Sequence, residues 1–171
     1  MIKLHQFINQ LVVNAQAIRH LTESVSDEQA QWKPDPETWS LQEVMEHLYY
    51  EESMDFRKHL MEMFSEPPLP WGSNNPADYV KVESLQQALE DFLSERNASI
   101  DWLEVLKNPD WEAASKASFG LEEELVLRAG DVLTSWVAHD FLHLRQINEL
   151  LYAWNQKQAD PYSVQYAGGW E

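Results

Sequence analysis

Apolar residues near the start of the chain fall at Leu4, Phe7, Ile8, Leu11, Ala15, Ile18 and Leu21. Intervals of three and four mark one face of an amphipathic helix, predicted over residues 2–22. Ser26-Asp-Glu-Gln29 reads as a capping box opening a short helical turn, which Pro34 and Pro36 end. A second capping box, Ser40-Leu-Gln-Glu43, follows Trp39 and starts a longer helix predicted to run to about Phe64. Residues 65–82 contain Pro67, Pro68, Pro70, Gly72, Asn74, Asn75 and Pro76 and form a loop. It is longer than a tight turn between antiparallel neighbours needs, so a crossover is expected. Ser84 caps a third helix with Leu85, Leu89, Phe92, Ile100, Leu103 and Leu106 as its stripe, closed by Asn108-Pro109. Residues 110–130 carry no helical period; Leu125-Val-Leu127 is a candidate extended piece. Asp131 is the predicted cap of a fourth helix ending near Trp154. The pattern predicts an all-α four-helix bundle over residues 1–155, with a C-terminal tail, 156–171, packed on or extending from it.

Composition narrows the chemistry. The 171 residues, 44% hydrophobic with only five glycines, suit one domain with a substantial core, and several of the eight tryptophans are expected inside it. The absence of cysteine removes disulfides, thiolate metal sites and cysteine nucleophiles together. A transition metal would have to be held by His, Asp or Glu. A formal net charge of −17 opposes binding to nucleic acid or to anionic membranes. Met1-Ile-Lys-Leu opens an amphipathic run rather than a signal peptide, and no apolar stretch reaches membrane-spanning length. A cytoplasmic location is therefore expected.

The candidate chemistry centres on Trp136-Val-Ala-His139-Asp-Phe-Leu-His143-Leu-Arg-Gln146. At helical spacing, His139 and His143 leave the same face, about 40° apart. Val132, Trp136, Ile147 and Leu150 share that sector, whereas Arg145, Asn148 and Glu149 point away. Such a pair can offer two imidazoles to one metal ion. A zincin needs glutamate directly after the first histidine; here Asp140 stands there, aimed about 100° from the His139 direction, so this is no zincin. Two unconnected histidines hydrogen-bonded at a helix interface would fit the same spacing. On the second helix, Val44, Glu51 and Asp55 lie within about 80° of His47. Uncompensated carboxylates there are costly, and a cation would offset the cost. Glu51 and Asp55 could instead sit at the stripe edge and reach water, the preferred alternative for Asp55. His59 falls about 120° further round and is expected to be exposed. His5 and His20 have no partners at ligand spacing and are expected to be ordinary surface or interface residues.

Trp39-Ser-Leu-Gln-Glu-Val-Met-Glu-His47-Leu, preceded by Trp32-Lys-Pro34 and followed much later by His139-Asp-Phe-Leu-His143-Leu-Arg-Gln146-Ile, resembles the DinB-like superfamily in pairing, order and separation. The resemblance spans about residues 1–155, and the closing Tyr166-Ala-Gly-Gly-Trp170 looks like a tail of some members. It implies an up-down-down-up four-helix bundle with a three-histidine metal site. His47 would come from the second helix and His139 and His143 from the fourth. The metal in such proteins is commonly zinc or nickel, and many are homodimers. Relatives include thiol-dependent transferases using bacillithiol, mycothiol or glutathione, maleylpyruvate isomerases and proteins called metal-dependent hydrolases.

Elementary chemistry agrees. Three neutral imidazoles leave an ion its full charge and open coordination positions, and no cysteine can close the site with a fourth ligand. An open site can lower the pKa of water to about 7, or hold a thiol as thiolate. The expected function is therefore a metal-dependent hydrolase or thiol S-transferase acting on a small molecule, with zinc preferred to nickel. Glu51 is the candidate base or water-orienting group. Gln146 either orients His143 or bonds at the bundle edge. The alternative is a non-catalytic metal-binding or stress-response module.

Overall fold

Each predicted stripe buries itself against the others. In the computed structural model, which describes residues 2–69, 81–117 and 125–169, the elements are α1 (Leu4–Thr22), α2 (Asp27–Gln31), α3 (Leu41–Met54), α4 (Phe56–Met63), α5 (Leu85–Val105), β1 (Ala114–Ala117), β2 (Leu125–Arg128) and α6 (Ala129–Gln158). The second capping box is complete: Ser40 Oγ accepts the Glu43 N–H at 3.2 Å, and Glu43 Oε2 accepts the Ser40 N–H at 2.8 Å. The first is half made, with Ser26 Oγ accepting the Gln29 N–H at 3.3 Å. At the start of α6 the cap lies earlier than predicted. Arg128 is the N-cap, and Asp131, three residues into the turn, accepts its N–H at 3.0 Å. The helix also runs to Gln158, past the expected end at Trp154.

Helix directions follow from which residues share a core. One apolar cluster joins Ile18, Val44, Leu89 and Leu150; a second joins Leu11, Leu60, Leu103 and Leu133. The α3–α4 arm and α5 therefore run parallel, both from the first cluster to the second, while α1 and α6 run the opposite way. This is the up-down-down-up order. Two sequential parallel arms require the chain to return along the bundle, which accounts for the long 65–82 connection. Its residues 70–80 lie outside the described ones.

Two local expectations need correction, and a third, the extended piece, gains a partner. The second helix is not continuous: Asp55 adopts φ −118° and ψ −91°, separating α3 from α4. That single residue resets the phase, so His59 faces inward and is 1% exposed rather than on the surface. Its Nδ1 donates to Glu62 Oε2 at 2.7 Å, and Asp55 Oδ2 lies 3.6 Å from its Nε2. The extended piece at Leu125–Leu127 has a partner that the pattern did not reveal, since β2 pairs antiparallel with β1, Ala117 opposite Leu125. Among the described tryptophans, only Trp136 is fully buried, and Trp39 is exposed.

Between the two apolar clusters lies a polar layer. Arg96, Asp140, Glu52 and Asn14 are each at most 1% exposed and come from α5, α6, α3 and α1 respectively. Burial alone would ease the Arg96 proton off, but the adjoining Glu52 and Asp140 carboxylates override it and hold the guanidinium charged.

Candidate metal centre

The Ser40 cap starts α3 so that His47 points from its second turn toward α6, where His139 and His143 stand one turn apart. His139 Nε2 lies 3.1 Å from His47 Nε2 and 3.1 Å from His143 Nε2. All three nitrogens fall within 4.8 Å of one another. Nitrogens sharing one tetrahedral ion at about 2.0–2.1 Å would stand about 3.3–3.4 Å apart. The sequence-predicted trio is thus brought together, and among the described residues it forms a group that could hold a metal ion.

The proton inventory favours such a fit. His143 Nδ1 is 2.8 Å from Gln146 Oε1, an oxygen that only accepts, so Nδ1 carries the proton and Nε2 presents its lone pair. The Nε2 of His139 offers one in-plane site, either a proton or a lone pair. It cannot satisfy both neighbours as ordinary hydrogen bonds, whereas a cation could take all three lone pairs.

Electrostatics keep the rings neutral. Burial, then the charge His143 would carry, lowers the His47 pKa to about 4. Burial, then His143, His47 and Arg96, lowers that of His139 to about 3. His143 is lowered too, by burial, against the opposing effect of its hydrogen bond to Gln146. These folded values lie below the ordinary 6.5, so as pH falls the unfolded chain takes up protons first. His47 and His139 therefore withdraw stability from the metal-free fold as pH drops from 6.5 toward 4, and His143 acts in the same direction. An NMR titration of metal-free protein is expected to show His47 and His139 still neutral at pH 5.5; midpoints near 6.5 would contradict the half-buried, crowded site.

The surroundings are uneven. Trp39 packs edge-on to His47 at 5.1 Å and parallel to His143 at 6.5 Å, leaving a flat, solvent-exposed indole beside the trio. Phe56 meets His139 at 5.2 Å from the buried side. Glu51 Oε1 lies 3.8 Å from His47 Nδ1, too long for a hydrogen bond but close enough for charge contact. Burial, then the neighbouring Asp55, raises the Glu51 pKa to about 7. Asp55 is itself part-exposed. His5 and His20 lie on the surface, away from the trio.

Arg96, Glu52 and the burial of Asp140 are not among the residues the sequence motifs single out. A signal existed: Arg96 follows Leu85, Leu89 and Phe92 at helical intervals, and Glu52 follows Met45 and Leu48. Charged residues in register with an apolar stripe mark a buried pair.

The profile of the DinB superfamily matches residues 10–147. No curated protein sequence matches the chain. Among solved structures, YfiT from Bacillus subtilis superposes with a TM-score of 0.73 over 91% of this chain and 90% of its own, at 14% identity. YfiT is described as a probable metal-dependent hydrolase with an unusual four-helix bundle topology. That bundle is the fold found here, and the matched segment contains all three histidines. The chain belongs to the DinB superfamily.

Proposed function

We propose that the protein is a metal-dependent enzyme in which His47, His139 and His143 hold one divalent ion, zinc in preference to nickel, for hydrolysis of a small molecule. The observation that carries this is the meeting of three neutral imidazole nitrogens, with no fourth protein donor in the group among the described residues. Imidazole suits both metals, and zinc is best matched to a compact set of nitrogen ligands. YfiT's description as a probable metal-dependent hydrolase supports the reaction class. When bound, such an ion supplies Lewis acidity, polarising an electrophile and easing a proton from water or a thiol.

The chain's own groups do the rest. Gln146 fixes the His143 tautomer by accepting from Nδ1. Glu51, one turn after His47 and part-exposed, is the group we assign to take a proton from the attacking water. Trp39 offers an apolar plane beside the site for the organic part of a substrate. A second reaction, transfer of a low-molecular-weight thiol, is favoured by the wholly neutral donor set, which leaves an ion its full attraction for a thiolate. With no cysteine in the chain, that thiol must come from outside.

Metal analysis of purified protein is expected to find one ion per chain, with turnover of an ester, amide or thiol–electrophile panel that a chelator removes and zinc restores. Metal well below stoichiometry after zinc loading overturns the proposal. Full loading without turnover of any panel makes the protein a non-catalytic metal-binding module.

A further inference from the structure

The polar layer under the site is bonded in an unusual way for a bundle core. Arg96 Nη1 and Nη2 each donate to an Asp140 oxygen at 2.8 Å, a two-pronged pairing. Nη2 also donates to Glu52 Oε2 at 2.9 Å, and Nη1 to the Leu11 carbonyl at 3.1 Å. Trp136 Nε1 donates to the same Glu52 oxygen at 2.9 Å, and Asn14 Nδ2 to Asp140 Oδ2 at 3.2 Å. One guanidinium thus ties α5 to α1, α3 and α6 at a single level.

Stability alone is a poor reason for this layer. Well-packed apolar residues of similar volume are often as stable as a buried ion network, or more so. Here Glu52 Oε1 and Arg96 Nε are buried without a hydrogen-bond partner, an added cost. What the layer does supply is register. Trp136 and Asp140 bracket His139 along α6, and Glu52 lies just beyond His47 on α3. Both bracketing residues are joined to Glu52, one directly and one through Arg96. Phe56 stacks on Trp136 at 5.7 Å and also touches His139. A rotation of α6 by roughly 10° would move a side-chain tip at the 5–6 Å helix radius by about 1 Å. Metal ligands tolerate about 0.2 Å.

We propose that Arg96, Glu52 and Asp140 are positioning residues that lock α6 against α3 so that His139 and His143 meet His47 on one ion. The inference rests on the three histidines being an ion site. Arg96 is the informative position, because α5 carries none of the three histidines and lysine keeps the charge while losing the planar fork. Zinc competition titrations, run well below the unfolding temperature of the metal-free protein, are expected to show Arg96→Lys binding about 10–100-fold more weakly than wild type. The visible spectrum of the cobalt(II)-loaded variant should change as well, reporting altered ligand geometry. A lower unfolding temperature with unchanged zinc affinity and an unchanged cobalt spectrum overturns the proposal. If Arg96→Lys does not fold, Glu52→Gln is read by the same two measurements, with the same outcomes deciding. Wild-type protein that takes up no zinc overturns the metal reading and this inference with it. Wild-type binding matched by Arg96→Lys overturns this inference alone.

Discussion

Replacing His143 with alanine is expected to abolish stoichiometric zinc binding while most of the helical circular-dichroism signal remains. A four-ligand structural zinc site is worth about 10–16 kcal/mol, or about 2.5–4 kcal/mol per ligand, so losing one imidazole costs about two to three decades of affinity. A site with only three protein ligands has little to spare. Folding, by contrast, draws on apolar side chains that would hold no ion. Leu11, Ile18, Val44, Phe92, Leu133 and Ile147 are completely buried, each contributing about 1.5–3 kcal/mol relative to exposure. The partner left behind, Gln146, is only half-buried and can turn to water. Calorimetric zinc titration and far-ultraviolet circular dichroism of the metal-free variant check both halves. A variant or wild-type apo protein that loses its helicity would make the ion a structural staple, and the catalytic proposal would fail at its premise.

The parts of this molecule that sequence alone disclosed are those with a local period. His139 and His143 lie one helical turn apart within a run whose apolar neighbours set the inward direction, and the Ser40 box fixes the phase that aims His47 at them. The misplacement of His59 has an equally local cause. Nothing between Met45 and Met63 is a glycine or proline, so no breaker announces the turn at Asp55, and an unbroken helical phase carried His59 to the wrong side. Strand β1 was hidden because Ala-Ser-Lys-Ala lacks the branched or aromatic residues that mark a strand; pairing with β2 defines it. The polar layer was hidden for a different reason. Arg96, Glu52 and Asp140 each break an apolar stripe when read singly, and only their meeting across three helices makes burial affordable. The tryptophans follow the same logic: Trp32 and Trp154 pack edge to face at 5.4 Å with Lys157 over both rings, a half-buried arrangement that needs no deep core.

Glu51→Gln is expected to slow a hydrolytic reaction by about 10²–10⁴-fold and to affect transfer of an external thiol far less. Hydrolysis requires a proton to leave the attacking water as the new bond forms, and a carboxylate within reach can accept it. The amide of glutamine is nearly the same shape but cannot. A thiol is more acidic than water by several decades, so an ion alone suffices to hold it as thiolate, and the missing base matters little. The position of Glu51 admits one other role, because its carboxylate lies 3.8 Å from the outer nitrogen of His47 and could steady that ring. The two roles separate in measurement. A proton acceptor leaves zinc affinity unchanged and splits the two reactions apart in kcat. A group that steadies His47 weakens zinc binding by about 10–100-fold and lowers both reactions together. Parallel kinetics and zinc titrations on wild type and Glu51→Gln decide between them, and an equal loss in both reactions assigns Glu51 to the histidine rather than to the water.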